Sequence, residues 1–133
     1  MQLRALRGKN VVLYFYPKDN TPGCTTEGQD FSDLCAKFKR QETHIFGVSR
    51  DSIAAHEKFR DNQQFPFALL SDPDEKLCRQ FDVIREKMLY GRKFMGVERS
   101  TFLIDTNGKL RQEWRNVRVK GHAAEVLAAV KNC

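Results

Sequence analysis

Two features of membrane and exported proteins are missing from this sequence. No apolar run approaches the roughly 20 residues that a membrane span requires, and the N-terminal segment MQLRALRGKN contains no apolar stretch long enough for a secretory signal. We therefore expect a cytoplasmic protein without a membrane partner, in a reducing environment where disulfides are transient. With 133 residues, 41% of them hydrophobic, the chain can form its own core. We predict a single domain over residues 1–133.

Common metal and redox motifs are missing as well. None of the four cysteines forms a C-x-x-C pair with another; they are Cys24, Cys35, Cys78 and Cys133. The three histidines do not have the spacing of zinc ligands; they are His44, His56 and His122. We therefore predict that the protein binds no metal and no other cofactor.

The net charge of +6 raises the question of nucleic-acid binding. The basic residues are spread over several segments and are mixed with acidic ones. No helix-turn-helix or aromatic RNA-binding motif accompanies them. We interpret them as a solvated basic surface and predict no nucleic-acid partner, while attraction of an anionic substrate stays open.

What the sequence contains is an alternation of strand and helix patterns. Short apolar runs indicate buried strands at residues 10–16, 43–49, 65–71 and 99–105. Residues 109–115 indicate a returning strand after a hairpin turn at Asn107-Gly108. Helical patterns are found from Cys24 to about Arg40 and at residues 52–63, 72–83 and 122–132.

The order of these elements predicts the fold class. The sequence β-α-β-α-β-α-β-β-α indicates an α/β protein with a central mixed sheet, parallel at first and antiparallel at the end, and helices on both faces. This is the thioredoxin-like pattern. We expect the third helix to have Asp72 as its N-cap and Pro73 as its first residue. Residues 84–98 have no clean period, and we expect a loop with extended pieces there.

The segment YFYPKDNTPGCTTEGQDF, residues 14–31, places Cys24 at the start of a helix. Unpaired amides and the helix dipole stabilise an anion there, so we expect this cysteine to be held largely as the reactive thiolate. Pro22 and the extended geometry that it imposes on Thr21 stiffen the loop, and Gly23 lets a small ligand approach the backbone. The alternative is that Cys24 is a small apolar residue packed at a helix end.

The same segment carries a family resemblance. Pro17, Thr21 and Cys24 form the pattern P-x-x-x-T-x-x-C, which resembles the active-site segment of peroxiredoxins, specifically the bacterioferritin-comigratory protein or peroxiredoxin Q group. The segments FALLSDPDEKLCRQFDV, FMGVERSTFLIDTNGKL and VRVKGHAAEVLAAVK are similar to the same group, in the same order. The resemblance therefore covers nearly the whole chain.

The resemblance implies a thiol-dependent peroxidase that reduces hydrogen peroxide and organic hydroperoxides through a sulfenic acid on Cys24. Thr21 and Arg99 would be the catalytic partners of this cysteine. Chemistry agrees, because a hydroxyl and a guanidinium can hold peroxide oxygens while charge develops. The alternatives are that Thr21 caps the helix or satisfies its loop, and that Arg99 pairs with Glu98 at the surface. Glu27 would be structural support, holding an arginine in position or completing a cap.

The sequence departs from the family pattern at the second cysteine. In one large branch a resolving cysteine lies five residues after the peroxidatic one, and that position here is Gln29. Cys35 lies eleven residues along the same helix from Cys24, about 16 Å away, which exceeds the disulfide limit of roughly 7 Å. We expect Cys35 and Cys78 to be buried, whereas the terminal Cys133 could reach a neighbour; the identity of a resolver stays open among the three.

The leading interpretation is a one-cysteine mechanism. The reductant would be thioredoxin, glutaredoxin or a small thiol, and we expect a monomer, with a dimer as the alternative. Members of the group usually carry further N-terminal strands, which we expect to be missing here. Two other functions remain: a thioredoxin-type thiol–disulfide oxidoreductase, disfavoured because C-x-x-C is absent, and a non-enzymatic basic binding module.

Overall fold

The structure, a computed structural model, describes residues 8–131, apart from the side chain of Leu89. Strands and helices follow one another as β1 (Asn10–Phe15), α1 (Pro22–Arg40), β2 (Thr43–Ser49), α2 (Ile53–Gln63), β3 (Ala68–Ser71), α3 (Lys76–Gln80), β4 (Ile84–Leu89), β5 (Arg92–Val97), β6 (Ser100–Ile104), β7 (Leu110–Trp114) and α4 (His122–Lys131). None of the helices in this described part combines the length and apolar character needed to cross a membrane.

Five of the strands form one sheet in the order β3-β2-β1-β6-β7. β1 pairs in parallel with β2, and β2 with β3, whereas β6 pairs antiparallel with both β1 and β7. Because β1 lies at the centre, its apolar run is buried on both faces, as expected for a central strand. The predicted mixed sheet, parallel at first and ending in an antiparallel hairpin, is confirmed.

Helices cover both faces of this sheet. Side chains of β1 alternate between the faces, so Val12, Tyr14 and Tyr16 contribute to one apolar core and Val11, Leu13 and Phe15 to another. The first core contains the buried stripes of α1 and α4 and Phe59 of α2. The second contains Cys78 of α3 together with Val83 and Val97 at the base of the β4–β5 hairpin.

The expected extended pieces within residues 84–98 are present, but the expectation of a loop is wrong. These residues form the β4–β5 hairpin, paired from Ile84 with Val97 to Leu89 with Arg92. Its two-residue turn places Tyr90 at φ 52° and Gly91 at φ 77°, the conformation that this type of hairpin requires. The hairpin lies outside the main sheet and buries little, so no alternation of apolar and polar residues marks it. Its exposed apolar side chains are Met88, Tyr90, Phe94 and Met95.

The predicted start of the third helix is also wrong. Helix α3 begins at Lys76 rather than Pro73, because its N-cap residue has a left-handed φ of 62° that interrupts the helix. Asp72 nevertheless acts as a capping residue from outside the helix. Its carboxylate accepts hydrogen bonds from the amides of Leu77 at 3.1 Å and Cys78 at 2.8 Å. The sequence signal therefore identified the capping side chain but not the helix boundary.

Candidate active site

Cys24 is the third residue of α1, so the predicted position of this cysteine at a helix start is confirmed. The helix begins with Pro22 after Thr21, which has the extended backbone of an N-cap residue. The first backbone hydrogen bond of the helix runs from the Thr25 amide to the Thr21 carbonyl at 2.9 Å. Helical geometry therefore leaves the amides of Gly23 and Cys24 without an intrahelical acceptor. A helix start of this kind offers backbone donors to an anionic ligand.

Arg99 contacts the Cys24 sulfur. It lies directly before β6, whose antiparallel pairing with β1 sets Ser100 opposite Phe15 at the end of the strand that leads to the Cys24 loop. The Arg99 Nη2 donates to Cys24 Sγ at 3.4 Å. A β-carbon on Gly23 would lie 3.1 Å from the same Nη2, so glycine there permits the close approach of the guanidinium. The structure thus brings Cys24 and Arg99 together, as the resemblance implied.

Glu27 holds the other side of the same guanidinium. Its Oε1 accepts from Arg99 Nη1 at 2.6 Å, and its side chain is only 1% exposed. Burial raises the pKa of Glu27 to about 7, against the opposing charge of Arg99. Glu98, the alternative partner of Arg99, instead approaches Arg85 at 3.9 Å. The contact is the one expected of a residue that holds an arginine in position.

Thr21 hydrogen-bonds within its own loop. Its Oγ1 donates to the Lys18 carbonyl at 2.8 Å and makes no side-chain cap bond. Among the hydrogen bonds of residues 8–131, none joins Thr21 to Cys24 or Arg99. Because the single hydroxyl proton is used, Thr21 can offer only its oxygen lone pairs to a ligand.

A buried polar network behind this loop was missed in the sequence. Asp19, 6% exposed, accepts from the Tyr16 hydroxyl at 2.6 Å through Oδ1, and its Oδ2 lies 2.7 Å from His56 Nδ1. The His56 Nε2 lies 3.0 Å from the Leu70 carbonyl. The available signal was the position of His56 three residues before the buried Phe59 on α2, which places a polar side chain on the apolar face of the helix.

Asp51 extends this network to the loop after β2. Its Oδ2 accepts from the Asp19 amide at 2.9 Å and from the Ser49 hydroxyl at 2.6 Å. Ligand atoms of Asp19, Asp51 and His56 lie within 4.8 Å of one another, the kind of grouping that can hold a metal ion. All three side chains are already engaged in hydrogen bonds with the protein. The chemistry therefore fits a closed structural network better than a metal site.

Lys87 was missed because the hairpin that carries it was not predicted. Its Nζ donates to the Val97 carbonyl at 2.5 Å, across the β4–β5 hairpin. Burial lowers the pKa of Lys87, and the nearby charges of Arg99 and Arg50 add to this effect, whereas the Cys24 sulfur opposes it. The hairpin thus adds a second cation to the surroundings of Cys24.

The other described cysteines lie in the protein core. Cys35 is 7% exposed and Cys78 is fully buried, and neither forms a disulfide. Cys35 shares the first core with Cys24, whereas Cys78 belongs to the second core, on the opposite face of the sheet. Burial and the hydrogen-bonded Asp72 raise the pKa of Cys78 to about 12. The predicted burial of both is confirmed, and Cys133 lies outside the described residues.

Comparison with known proteins places these features in a family. Residues 1–113 match the AhpC/TSA family. The chain is 56% identical over 129 residues to the peroxiredoxin Bcp of Xanthomonas campestris, covering 97% of this chain and 81% of that protein. It is 50% identical over 132 residues to the peroxiredoxin Bcp of Bacillus subtilis, covering 99% of this chain and 84% of that one.

A solved structure agrees with the sequence relatives. The bacterioferritin comigratory protein of Xanthomonas campestris, studied for its alkyl peroxide reduction activity, matches this fold with a TM-score of 0.95 at 54% identity, over 99% of this chain and 84% of that one. This similarity confirms the predicted thioredoxin-like fold. With a thiol on a helix start beside an arginine, the chain belongs to the AhpC/TSA family, as a peroxiredoxin of the bacterioferritin-comigratory protein or peroxiredoxin Q group, and is a thiol peroxidase.

Proposed function

We propose that this enzyme reduces hydrogen peroxide and organic hydroperoxides through a sulfenic acid on Cys24, and that an external thiol then restores the cysteine. The observation that carries the proposal is the 3.4 Å contact between Arg99 Nη2 and Cys24 Sγ at the first turn of α1. A guanidinium contacts there the sulfur of a cysteine in the first helical turn, where backbone amides lack intrahelical acceptors. The reported alkyl peroxide reduction by the similar Xanthomonas protein supports the same substrate class.

The peroxide step transfers one oxygen to sulfur. The Cys24 thiolate attacks the terminal oxygen of the hydroperoxide, the S–O bond forms and the O–O bond breaks. The cysteine is oxidised to a sulfenic acid, and the departing alkoxide or hydroxide takes up from the solvent a proton equivalent to the one that the thiol had released, which gives an alcohol or water. Negative charge moves from the sulfur to the departing oxygen during this step, so the site must stabilise both atoms.

The two predicted partners of Cys24 divide this work, and Glu27 supports one of them. Arg99 holds positive charge beside the sulfur and can follow the charge toward the peroxide oxygens through its forked donors. The hydroxyl hydrogen of Thr21 is used in the hydrogen bond to the Lys18 carbonyl. The Thr21 oxygen would therefore accept a hydrogen bond from the incoming hydroperoxide. Glu27 keeps the guanidinium aimed at Cys24 through the bond to Nη1 and is a positioning residue.

The reductant in this proposal comes from outside the chain. Cys78 lies on the opposite face of the sheet from Cys24, and Cys35 is eleven residues further along the same helix, about 16 Å in α-helical geometry. Thioredoxin, glutaredoxin or a small thiol would form a mixed disulfide with Cys24 and release water, and a second thiol would release the reduced enzyme. We propose the monomer as the working unit.

The test is peptide mass analysis after an equimolar addition of hydrogen peroxide in the presence of a sulfenic-acid trap. We expect the trap on Cys24 in the wild type, no adduct in Cys24→Ser, and a wild-type result in the control Cys35→Ala. A disulfide that joins Cys24 to another cysteine of the same chain would contradict the one-cysteine mechanism. Absence of peroxide consumption by the wild type would overturn the proposed peroxidase activity.

A thioredoxin-type activity is tested in the same preparation. Such an oxidoreductase cycles between a dithiol and a disulfide, and no C-x-x-C pair exists in this sequence. We therefore expect no reduction of insulin disulfides in the absence of peroxide. Rapid reduction that survives in Cys24→Ser would favour that alternative over the peroxidase.

A further inference from the structure

The loop between β1 and α1 is tied to the rest of the protein mainly through Asp19. Its amide donates to Asp51 Oδ2 at 2.9 Å, its Oδ1 accepts from Tyr16, and its Oδ2 faces His56 Nδ1 at 2.7 Å. The backbone carbonyl of the preceding residue, Lys18, accepts a hydrogen bond from the Thr21 hydroxyl. The position of Asp19 therefore sets the position of the oxygen that the proposed function assigns to peroxide binding.

The contacts of His56 require a proton on Nε2 and a second proton between Nδ1 and the Asp19 carboxylate. Nε2 faces the Leu70 carbonyl at 3.0 Å, and a carbonyl oxygen can only accept, so Nε2 must carry a proton. Nδ1 faces a carboxylate oxygen at 2.7 Å. The Tyr16 hydroxyl lies 3.5 Å from Nδ1, but its hydrogen is used in the hydrogen bond to Asp19 Oδ1. Without a proton between Nδ1 and Oδ2, two lone pairs would face each other in a site only 3% exposed at the histidine.

We propose that His56 and Asp19 form a proton-dependent anchor of the active-site loop, in which His56 is a positioning residue for the reaction of Cys24 with peroxide. The inference rests on the proposed function for its kinetic consequence. The protonated pair links α2 and the end of β3 to the loop that carries Thr21. Loss of that proton removes the link at Oδ2 and leaves Asp19 held by Tyr16 and the amide bond to Asp51 alone.

The groups around His56 and Asp19 determine the pH range over which this pair keeps its proton. The titratable groups that face His56 are Asp19 and Tyr16 from β1 and its loop, and Asp51 from the loop after β2. Burial lowers the pKa of His56, but the hydrogen bond and charge of Asp19, the Leu70 carbonyl and Asp51 more than offset it, so the pKa lies above the ordinary value of 6.5. The anchor is therefore intact below about pH 6.5 and is released as the pH rises through the raised pKa.

The first measurement is the protonation state of His56 in the wild type, by nitrogen NMR of the imidazole ring. We expect both ring nitrogens to be protonated at neutral pH and to titrate above the ordinary histidine range. A neutral ring with one bare nitrogen at pH 7 would overturn the anchor. This measurement needs neither a variant nor peroxidase activity, so it separates failure of the anchor from failure of the proposed function.

The second measurement is the rate of Cys24 oxidation by hydrogen peroxide between about pH 6 and 9, for the wild type, His56→Gln and Asp19→Ala. We expect the wild-type rate to fall at the alkaline end. Each variant should be slower by roughly tenfold at neutral pH and should lack that alkaline fall. The double variant should be no slower than Asp19→Ala, because that substitution already removes the link to His56.

The control for a general loss of helix stability is Ser52→Ala, which removes the N-cap bond to Ala55 on the same helix without touching Asp19. It should keep the wild-type pH profile. If His56→Gln keeps the alkaline fall, or if Ser52→Ala loses it to the same extent, the anchor is wrong even though Cys24 still reacts. A wild type that consumes no peroxide overturns the proposed function instead, while the NMR result still decides the protonation of the pair.

Discussion

The Arg99 guanidinium serves two neighbours at once: one nitrogen bonds Glu27 and the other bonds the Cys24 sulfur. A lysine would supply the charge but only as a single point, and it could not keep both contacts in fixed geometry. The two-sided contact is therefore the basis of the first prediction.

Arg99→Lys should slow the oxidation of Cys24 by roughly a hundredfold, the usual effect of removing a preorganised donor at a developing charge. The second-order rate with hydrogen peroxide measures it. Arg115→Lys is the matched control, because Arg115 lies over the Phe102 ring and bonds Glu113 away from the sulfur. A rate for Arg99→Lys equal to that of the control would remove Arg99 from the proposed mechanism.

Deprotonation of the buried Glu27 side chain lowers the stability of the folded protein. Burial raises its pKa from 4.5 to about 7, so as the pH rises the unfolded chain loses this proton first. The stability that this group contributes is thus present below about pH 4.5 and lost by about pH 7, a change of about 3 kcal/mol.

Glu27→Gln should therefore gain in free energy of unfolding, relative to the wild type, as the pH rises from about 4.5 to 7. Urea unfolding of both proteins at several pH values gives this difference directly. Asp33→Asn is the control, because it removes an exposed carboxyl from the same helix. A difference that does not change with pH would show that Glu27 titrates normally.

The sequence predicted single residues better than pairs. The helix-start cysteine and Arg99 could be identified because each lies in a local pattern that resembles the family. The Glu27–Arg99 pair joins residues 72 positions apart, and the sequence left it open against a helix cap. The Asp19–His56 pair joins residues 37 apart and was missed. Nothing local records such a contact, because it depends on how α1, α2 and β6 pack around the sheet.

At the scale of elements, prediction succeeded where one face is buried. In α4, for example, Val126 and Val130 are buried in the core, and this helix was predicted correctly. Prediction failed at the β4–β5 hairpin, which is mostly exposed, and at the start of α3, where a left-handed residue separates the capping side chain from the helix. In both cases backbone conformation decided the outcome, and residue type indicates it only weakly.

Tyr90 and Gly91 form the turn of the β4–β5 hairpin. Tyr90 adopts a φ of 52°, a region that asparagine tolerates better than tyrosine. Because the Tyr90 side chain is 96% exposed, little packing is lost on substitution. Tyr90→Asn should therefore raise the free energy of unfolding by about 0.5 to 1 kcal/mol.

Thermal or urea unfolding measures this change, and Tyr90→Val is the control, since a β-branched residue is strained at positive φ. The order of stability should be asparagine, tyrosine, valine. If valine is as stable as asparagine, the turn does not have the left-handed geometry described here.

At the scale of the whole molecule, the buried groups Glu27 and His122 change the stability in opposite directions over the same pH range. His122 of α4 packs between Phe31 and Trp114, and its Nε2 lies 2.7 Å from the Thr101 hydroxyl. Burial lowers its pKa from 6.5 to about 4. As the pH falls, the unfolded chain takes up this proton first, so stability is complete above about pH 6.5 and is lost toward pH 4, the reverse of Glu27.

The wild type should consequently show little change in stability from these two groups between about pH 4.5 and 6.5, because their effects cancel. His122→Gln should lose that balance and become relatively more stable in acid, by at most about 3 kcal/mol at the lower end. Urea unfolding of the wild type and the variant across this range checks the sign. Parallel curves would indicate that His122 takes up its proton at the same pH in the folded protein as in the unfolded chain.

The exposed hairpin has a further consequence for any protein that meets peroxide. Met88 is 65% exposed and Met95 is 55% exposed, so their thioethers are open to oxidation, and a methionine sulfoxide adds the same single oxygen atom as a sulfenic acid. Excess peroxide should therefore leave a lasting chemical record on β4 and β5 after the cysteine has been reduced again. The extent of sulfoxide in purified enzyme would report how much oxidant the molecule had encountered beyond what it turned over.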